Sequence, residues 1–549
     1  MQKNRMYQNL LELCGVPSVS GTAGEQEMAE KIADMLKRIP YFQQRPEQVQ
    51  TYPVPGGAYR RSYVCARMEG KIKSPGTVIL LSHFDVVGVE EYGVNRSLAF
   101  QPEKYTSYLR EHPDIRLPEE AAADLESGDY LFGRGTMDMK FGIAAYLELL
   151  ADFGSKPESF QGNLLFLSVP DEEANSAGML AAVETLAELK KKYDLEYTCC
   201  LVAEPYFPKY PGDETKYLYT GTVGKLLPVF YCVGRETHAC EPYSGLNPNL
   251  LTARILEKID CSSGLSDSAC GVFTPAPVCL KQSDTKESYS VQTPSAAYAY
   301  FNYMTLARSP DEVMRQMLSI ARDAFEEVLN EIGKKAADRG RITGETVRLP
   351  DRKPITVSFA ELYRMCSEAH GAEFESHMEK FLSRLNAEGE KADLRERSVR
   401  IVKEVHKFCP CREPMVIVFF APPFYPHSQA PRADSPALQT CRYLIDRAEQ
   451  EFHEEWQPEP YFPGLSDMSY LGLPEGTDIE GLKKNFPVWG SGYEIPLDTI
   501  AQLNIPFLNI GPRGKDAHRT TERLCLSDSF DKTVPLITSA VKYLLESED

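Results

Sequence analysis

Short aliphatic runs that stop abruptly at polar side chains recur along this chain, and they set its expected architecture. Val78-Ile79-Leu80-Leu81 ends in Ser82-His83-Phe84-Asp85, the pattern of a buried strand that delivers polar groups at its C-terminal tip. Residues 163–169 (NLLFLSV) run into Pro170-Asp171-Glu172-Glu173, residues 199–203 run into Glu204, and residues 505–510 run into a loop that carries His518. Apolar residues at helical spacing predict helices at 8–13, 25–36 and 143–150, and 63–72 reads as a further strand. Residues 90–129 read as a long polar loop, with His112 in it as a solvent histidine.

At 549 residues the chain is too long for one core, and its 42% hydrophobic content suffices to build two or more domains. The 79 acidic against 60 basic residues leave a net charge of −19, which argues against nucleic acid or an anionic membrane surface as partner. Fourteen scattered cysteines form no small-domain framework, and the N-terminus lacks a charged-then-apolar signal pattern. Reduced thiols and a cytoplasmic location follow as expectations. No apolar run approaches the roughly 20 residues of a membrane span.

The strand tips carry the chemistry. On a strand His83 and Asp85 point to the same side, so Asp85 can take the hydrogen of one imidazole nitrogen and leave the other free for a metal. Taken alone, such a pair is more often a satisfied buried histidine than a metal site. Gly133, Gly135 and Gly142 flank Asp138 where a turn becomes a helix, which presents its carboxylate at the turn. A phosphate loop does not fit, since no Gly-Lys-Ser/Thr follows, and a helix-capping role for Asp138 is the bland alternative. Adjacent acids after a buried strand, Glu172 and Glu173, are costly unless paired or metal-bound. In an open parallel sheet the strand ends converge on one crevice, so His83/Asp85, Asp138, Glu172/Glu173, Glu204 and His518 are expected at one place. Two histidines with carboxylates between them suit two divalent ions, zinc first and cobalt or manganese next, about 3.5 to 4 Å apart.

The phrases LLSHFDVV, GRGTMDMKFG, PDEE, AEP and GPRGKDAH resemble the ordered metal motifs of the metallopeptidase family that includes aminoacylase, acetylornithine deacetylase, succinyl-diaminopimelate desuccinylase and glutamate carboxypeptidase. The resemblance implies that His83 and Glu204 bind one ion, His518 and Glu173 the other, and that Asp138 bridges them. It further implies Glu172 as general base, Asp85 as the partner of His83, and a cis peptide after Asp138. Pro463-Gly-Leu-Ser-Asp467-Met-Ser is similar to the family's serine–aspartate loop, a supporting element. The implied fold is α/β, a mostly parallel zinc-hydrolase catalytic domain interrupted by an inserted two-layer α/β lid.

Within the lid, the stretch from Gly234 through His238 to Asn247-Pro248 resembles the family's histidine loop, in which the histidine polarises the substrate carbonyl, often across a dimer. Strands at 222–233, 272–281 and 289–305 with helices at 248–260 and 311–333 match such a lid. Gln292 and Asn302 stand where many relatives place an asparagine and a substrate-clamping arginine. Neither reproduces an arginine's two-pronged grip on a carboxylate, and with Asn247 they are the candidate substrate-binding residues. Residues 361–412, rich in Glu, Lys and Arg, read as an added helical segment. The expected division is therefore 1–221 catalytic, 222–360 lid, 361–412 extra helices and 413–549 catalytic. Length and this segment resemble the longer bacterial arginine-utilisation proteins of the family. The expected function is dinuclear hydrolysis of an amide bond in a small amino-acid derivative or peptide, by a chain able to dimerise through its lid. The alternative is a non-catalytic binding protein that kept the fold.

Overall fold

The computed structural model describes residues 2–210, 212–387, 393–428 and 431–546. Two compact units result: Met1–Thr222 with Ala430–Leu473 and Asp498–Asp549, and Val223–Gln429 with Pro474–Leu497.

The first unit is built on an eight-stranded sheet in the order Val49–Pro53, Ser62–Glu69, Gln161–Val169, Ile72–His83, Glu196–Val202, Phe507–Asn509, Lys216–Tyr219, Trp456–Glu459. Its four central strands, from Gln161–Val169 to Phe507–Asn509, run parallel. These are the uninterrupted aliphatic runs of the sequence, and both of their faces are covered. Val78, Leu80, Leu164 and Phe166 join one core with helices Lys3–Cys14, Gly24–Lys37, Lys140–Ser155 and Val534–Glu546. Ile79, Leu81, Leu165 and Leu167 point the other way and are equally buried. Parallel strands that share a direction bring their C-terminal tips to one edge, which is where His83, Glu172 and Glu204 follow their strands.

Three expectations need correction. Residues 90–129 are no loop: they fold as Glu90–Leu98, Pro102–Glu111 and Glu119–Ser127, around a satellite core of Tyr92, Tyr105, Leu109, Leu125 and Phe132. Each of these elements is only 9 or 10 residues long, so its apolar positions repeat too few times to register as a period. Asp138 and His518 do not end strands of the main sheet. They flank a separate three-stranded sheet in which Arg523–Cys525 pairs with both Tyr130–Phe132 and Gly514–Lys515. Finally, 413–429 and 474–497 belong to the second unit, not to the catalytic one.

That second unit has a sheet ordered Val278–Asp284, Ala296–Thr305, Pro228–Val233, Met415–Phe420, Thr356–Ser358, with Gly224–Leu226 also paired to Ala296–Thr305. The strand Met415–Phe420 pairs antiparallel with Pro228–Val233, which is why the residues after 412 stay with this unit. Helices Pro248–Ile259 and Pro310–Thr343 pack on the sheet. The added segment forms Phe359–Ala387 and Leu394–His406, whose Leu362, Cys366, Phe374, Val402 and Val405 share a core with Val229, Tyr231 and Ile417. Its residues 388–392 lie outside the described ones.

His427 in this unit is 6% exposed, with Nδ1 3.0 Å from Thr305 Oγ1. Burial pushes its pKa down to about 4, and the attraction of Asp267 and Glu312 does not offset this. An unfolded imidazole titrates near 6.5, so between about pH 6.5 and 4 the unfolded chain takes up a proton that the folded one refuses. Stability is therefore expected to fall by up to about 3 kcal/mol as pH drops through that window. Denaturant titrations of wild type and His427→Gln at pH 7 and pH 4.5 check this: the variant loses less. Equal losses in both proteins would remove the role of His427.

Candidate metal centre

The chain builds this site from three strand tips and two loops of the first unit. His83 closes its strand with 2% exposure. Glu172 and Glu173 follow a tight turn in which Asp171 has φ 69° and its carbonyl accepts the N–H groups of Ala174, Asn175 and Ser176. The Asp171 carboxylate is anchored by Arg61 at 2.7 Å and caps the next helix through Ala177 N–H. Glu204 follows Glu196–Val202, and its carbonyl accepts from Asn509 Nδ2 at 2.9 Å. Gly511 is required beside it, because a Cβ there would stand 1.7 Å from the Glu204 carbonyl oxygen.

Asp138 lies between the two histidines. One carboxylate oxygen is 3.1 Å from His83 Nε2 and the other is 3.1 Å from His518 Nε2. Glu204 Oε1 stands 3.8 Å from the same His83 nitrogen, and Glu173 Oε2 is 3.0 Å from His518 Nε2. Among the described residues, ligand-type atoms gather in two groups: His83 with Glu172 and Glu204, and His83 with Asp138 and Glu173. The Asp138–Met139 peptide is cis.

Asp85 stays beside His83 and serves other partners as well. His83 Nδ1 lies 3.1 Å from the Asp85 backbone carbonyl and 3.6 Å from its carboxylate. The carboxylate also accepts the N–H groups of Glu172 and Glu173, at 3.1 and 3.2 Å, and the Ser20 hydroxyl at 2.7 Å. Strand alternation shows which side chains share a face, but not that a neighbouring turn offers two N–H groups to the same carboxylate.

The electrostatics fit cations. Burial pushes Glu204 up to about 8 and Glu172 well above the carboxylate range, each despite the attraction of His83. Burial also lifts Glu173, and Asp138 is held low against its own burial by hydrogen bonds from His518 and His83. The same hydrogen bonds, to Asp138 and Glu173, raise His518 to about 10. Behind them Asp467 is 3% exposed and is pushed by burial up to about 7, against a hydrogen bond from Ser176. Five acids thus face two imidazoles, and this N/O donor set suits divalent ions.

Residues 79–485 match the model of peptidase family M20/M25/M40. The chain belongs to this family. It is 38% identical to the protein YqjN of Bacillus subtilis over 549 residues, which is 100% of this chain and 97% of that relative. It is 34% identical to protein RocB of the same bacterium over 543 residues, 97% of this chain and 94% of that one. Among solved structures, the Bacillus subtilis YXEP protein, a dinuclear metal-binding peptidase of the M20 family, aligns over 100% of this chain and 99% of its own at a TM-score of 0.51 and 12% identity. That likeness carries the fold.

In this M20 chain the other candidate residues lie in the second unit. His238 is exposed, its Nδ1 accepts from Cys240 N–H at 3.1 Å, and it pairs across an isolated antiparallel bridge with Gln292, so these two sit side by side. Asn247 is occupied as the cap of helix Pro248–Ile259, accepting from Asn249 N–H. Asn302 stands on the strand Ala296–Thr305 opposite Val278. Sequence reasoning missed Ser20, Arg61 and Asp171, which hold the Glu172 turn, and Arg134 and Glu522, which flank His518. The available signal was slight: Arg134 is the one charge between Gly133 and Gly135 in the motif that leads to Asp138. No described helix is long and apolar enough to cross a membrane.

Proposed function

We propose that this M20-family hydrolase works with two divalent ions, zinc first, and cleaves a peptide or N-acyl amide bond of a small amino-acid derivative. The observation that carries the reading is Asp138, which offers one carboxylate oxygen to the position of each histidine at 3.1 Å. When bound, the ions supply Lewis-acid polarisation of the substrate carbonyl and offset the charge that develops on it. His83 and Glu204 would hold one, His518 and Glu173 the other. Glu172 takes the proton of the attacking water and returns it to the leaving amine, a task that suits a carboxylate whose affinity for protons is raised by burial. The Asp85 carboxylate orients Glu172 and Glu173 by accepting both backbone N–H groups. A place in amino-acid catabolism, arginine-related in the long bacterial branch, is supported by the identity with RocB over nearly the whole chain.

His238 is assigned to the substrate carbonyl, with Gln292 beside it and Asn302 contributing to substrate selection. The His238→Ala protein is expected to keep its metal content and fold while kcat falls by on the order of 10²- to 10³-fold, as loss of an oxyanion donor does. Steady-state kinetics alongside elemental analysis check this, and an unimpaired variant would make His238 a surface residue. A homodimer through the second unit is supported by its edge strand Val278–Asp284, where Val278 and Leu280 are 43% and 53% exposed. Hydrolysis of a panel of dipeptides and N-acyl amino acids by zinc-loaded protein tests the whole reading. Turnover of one class separates exopeptidase from deacylase, and no turnover with two ions bound returns the non-catalytic alternative.

A further inference from the structure

Arg134 and Arg523 are the largest side chains that the fold buries almost completely among the described residues, and Arg134 is 1% exposed. A guanidinium does not give up its proton inside a protein, so such burial has to be matched by acceptors. Nη1 donates to Glu522 Oε2 at 2.6 Å. Nη2 donates to Glu91 Oε1 at 2.9 Å and to the backbone carbonyl of His518 at 3.1 Å, with the Gly88 carbonyl at 3.5 Å. Glu522 is itself 1% exposed, and its carbonyl accepts from Gly133 N–H at 3.0 Å. One planar fork thus ties the turn that leads to Asp138 to the loop that presents His518, although these segments lie 384 positions apart in sequence.

His518 is the candidate ligand that needs such a tie. Its side chain is 51% exposed, so packing does not hold it, whereas His83 is held by a buried strand. Its backbone has φ 67°, a left-handed conformation that costs a non-glycine residue roughly 1–2 kcal/mol and persists only where the surroundings fix it. The carbonyl that Arg134 grips belongs to this same residue. The fork also holds Glu522, four residues further on, so it fixes the His518 loop at both ends.

We propose that Arg134, with Glu522, is a positioning residue that sets His518 for one of the two ions and leaves the other ion untouched. The inference rests on the two-ion reading given above. An ion pair with a merely structural role would shift stability and affect both ions alike. A positioning pair weakens one ion selectively.

The experiment is a stepwise titration of apo-protein with Co²⁺, followed by calorimetry and by the visible absorption of the bound ion, on wild type, Arg134→Lys and Glu522→Gln. Lysine keeps the charge but, as a single ammonium, cannot span Glu522, Glu91 and the His518 carbonyl together. Glutamine keeps the shape of Glu522 without its charge. Both variants are expected to bind the first ion as wild type does and the second about 10- to 100-fold more weakly, the usual effect of losing a group that orients a ligand. Circular dichroism and thermal melts establish that each variant is folded, and Glu522→Gln carries the test if Arg134→Lys is not. Wild-type affinity for both ions in a folded variant overturns the proposal, as does equal weakening of both. Wild-type protein that binds a single ion overturns the two-ion reading, and this proposal with it.

Discussion

Glu172→Gln protein is expected to retain both ions and to lose turnover by about 10²- to 10⁴-fold, the contribution of a general base that also orients its water. Glutamine matches the shape of the side chain, and the backbone N–H that fixes the turn to Asp85 is unchanged. What disappears is the ability to accept a proton. Burial and the neighbouring acids Glu204, Asp467 and Glu173 all raise the proton affinity of Glu172, which is the property a base needs when it must both take and return a proton. Glu173→Gln is the contrasting case. Its carboxylate lies 3.0 Å from His518 Nε2, so its neutral analogue should lose metal before it loses anything else. Elemental analysis and kcat measured on the same preparations distinguish the two. Glu172 also lies within the group formed with His83 and Glu204, so a Glu172→Gln protein that loses an ion would make it a ligand in place of a base.

Asp138→Ala is expected to remove both ions together. Each carboxylate oxygen serves a different histidine, so truncation takes a ligand from both positions. The loss of Lewis-acid assistance, several kcal/mol of transition-state stabilisation, puts activity down by on the order of 10³-fold or more. Measured metal content should fall from about two ions per chain toward none, where loss of a ligand private to one site would leave about one. A variant that keeps two ions would end the bridging role of Asp138.

The parts of this protein that could be read from sequence alone are those set by local pattern. Apolar runs such as 78–81 and 164–167 are best satisfied by strands covered on both faces, and these are the central parallel strands. A parallel sheet then places the residues just beyond its tips at one edge, so His83, Glu172 and Glu204 could be gathered without coordinates. Tertiary structure decided what depends on pairing between distant segments. Asp138 and His518 meet through the small sheet in which Arg523 pairs with Phe132, a register that no local periodicity encodes. The strand Met415–Phe420 reads as a buried strand wherever it goes, and only its pairing with Pro228–Val233 assigns it to the second unit. Asp85, beside His83, also takes two N–H groups of a turn 87 and 88 positions away, because a buried carboxylate takes the most donors the fold offers it. Arg134 shows the same rule from the donor side: a buried guanidinium must be matched, and its acceptors came from loops that only the folded chain brings within reach.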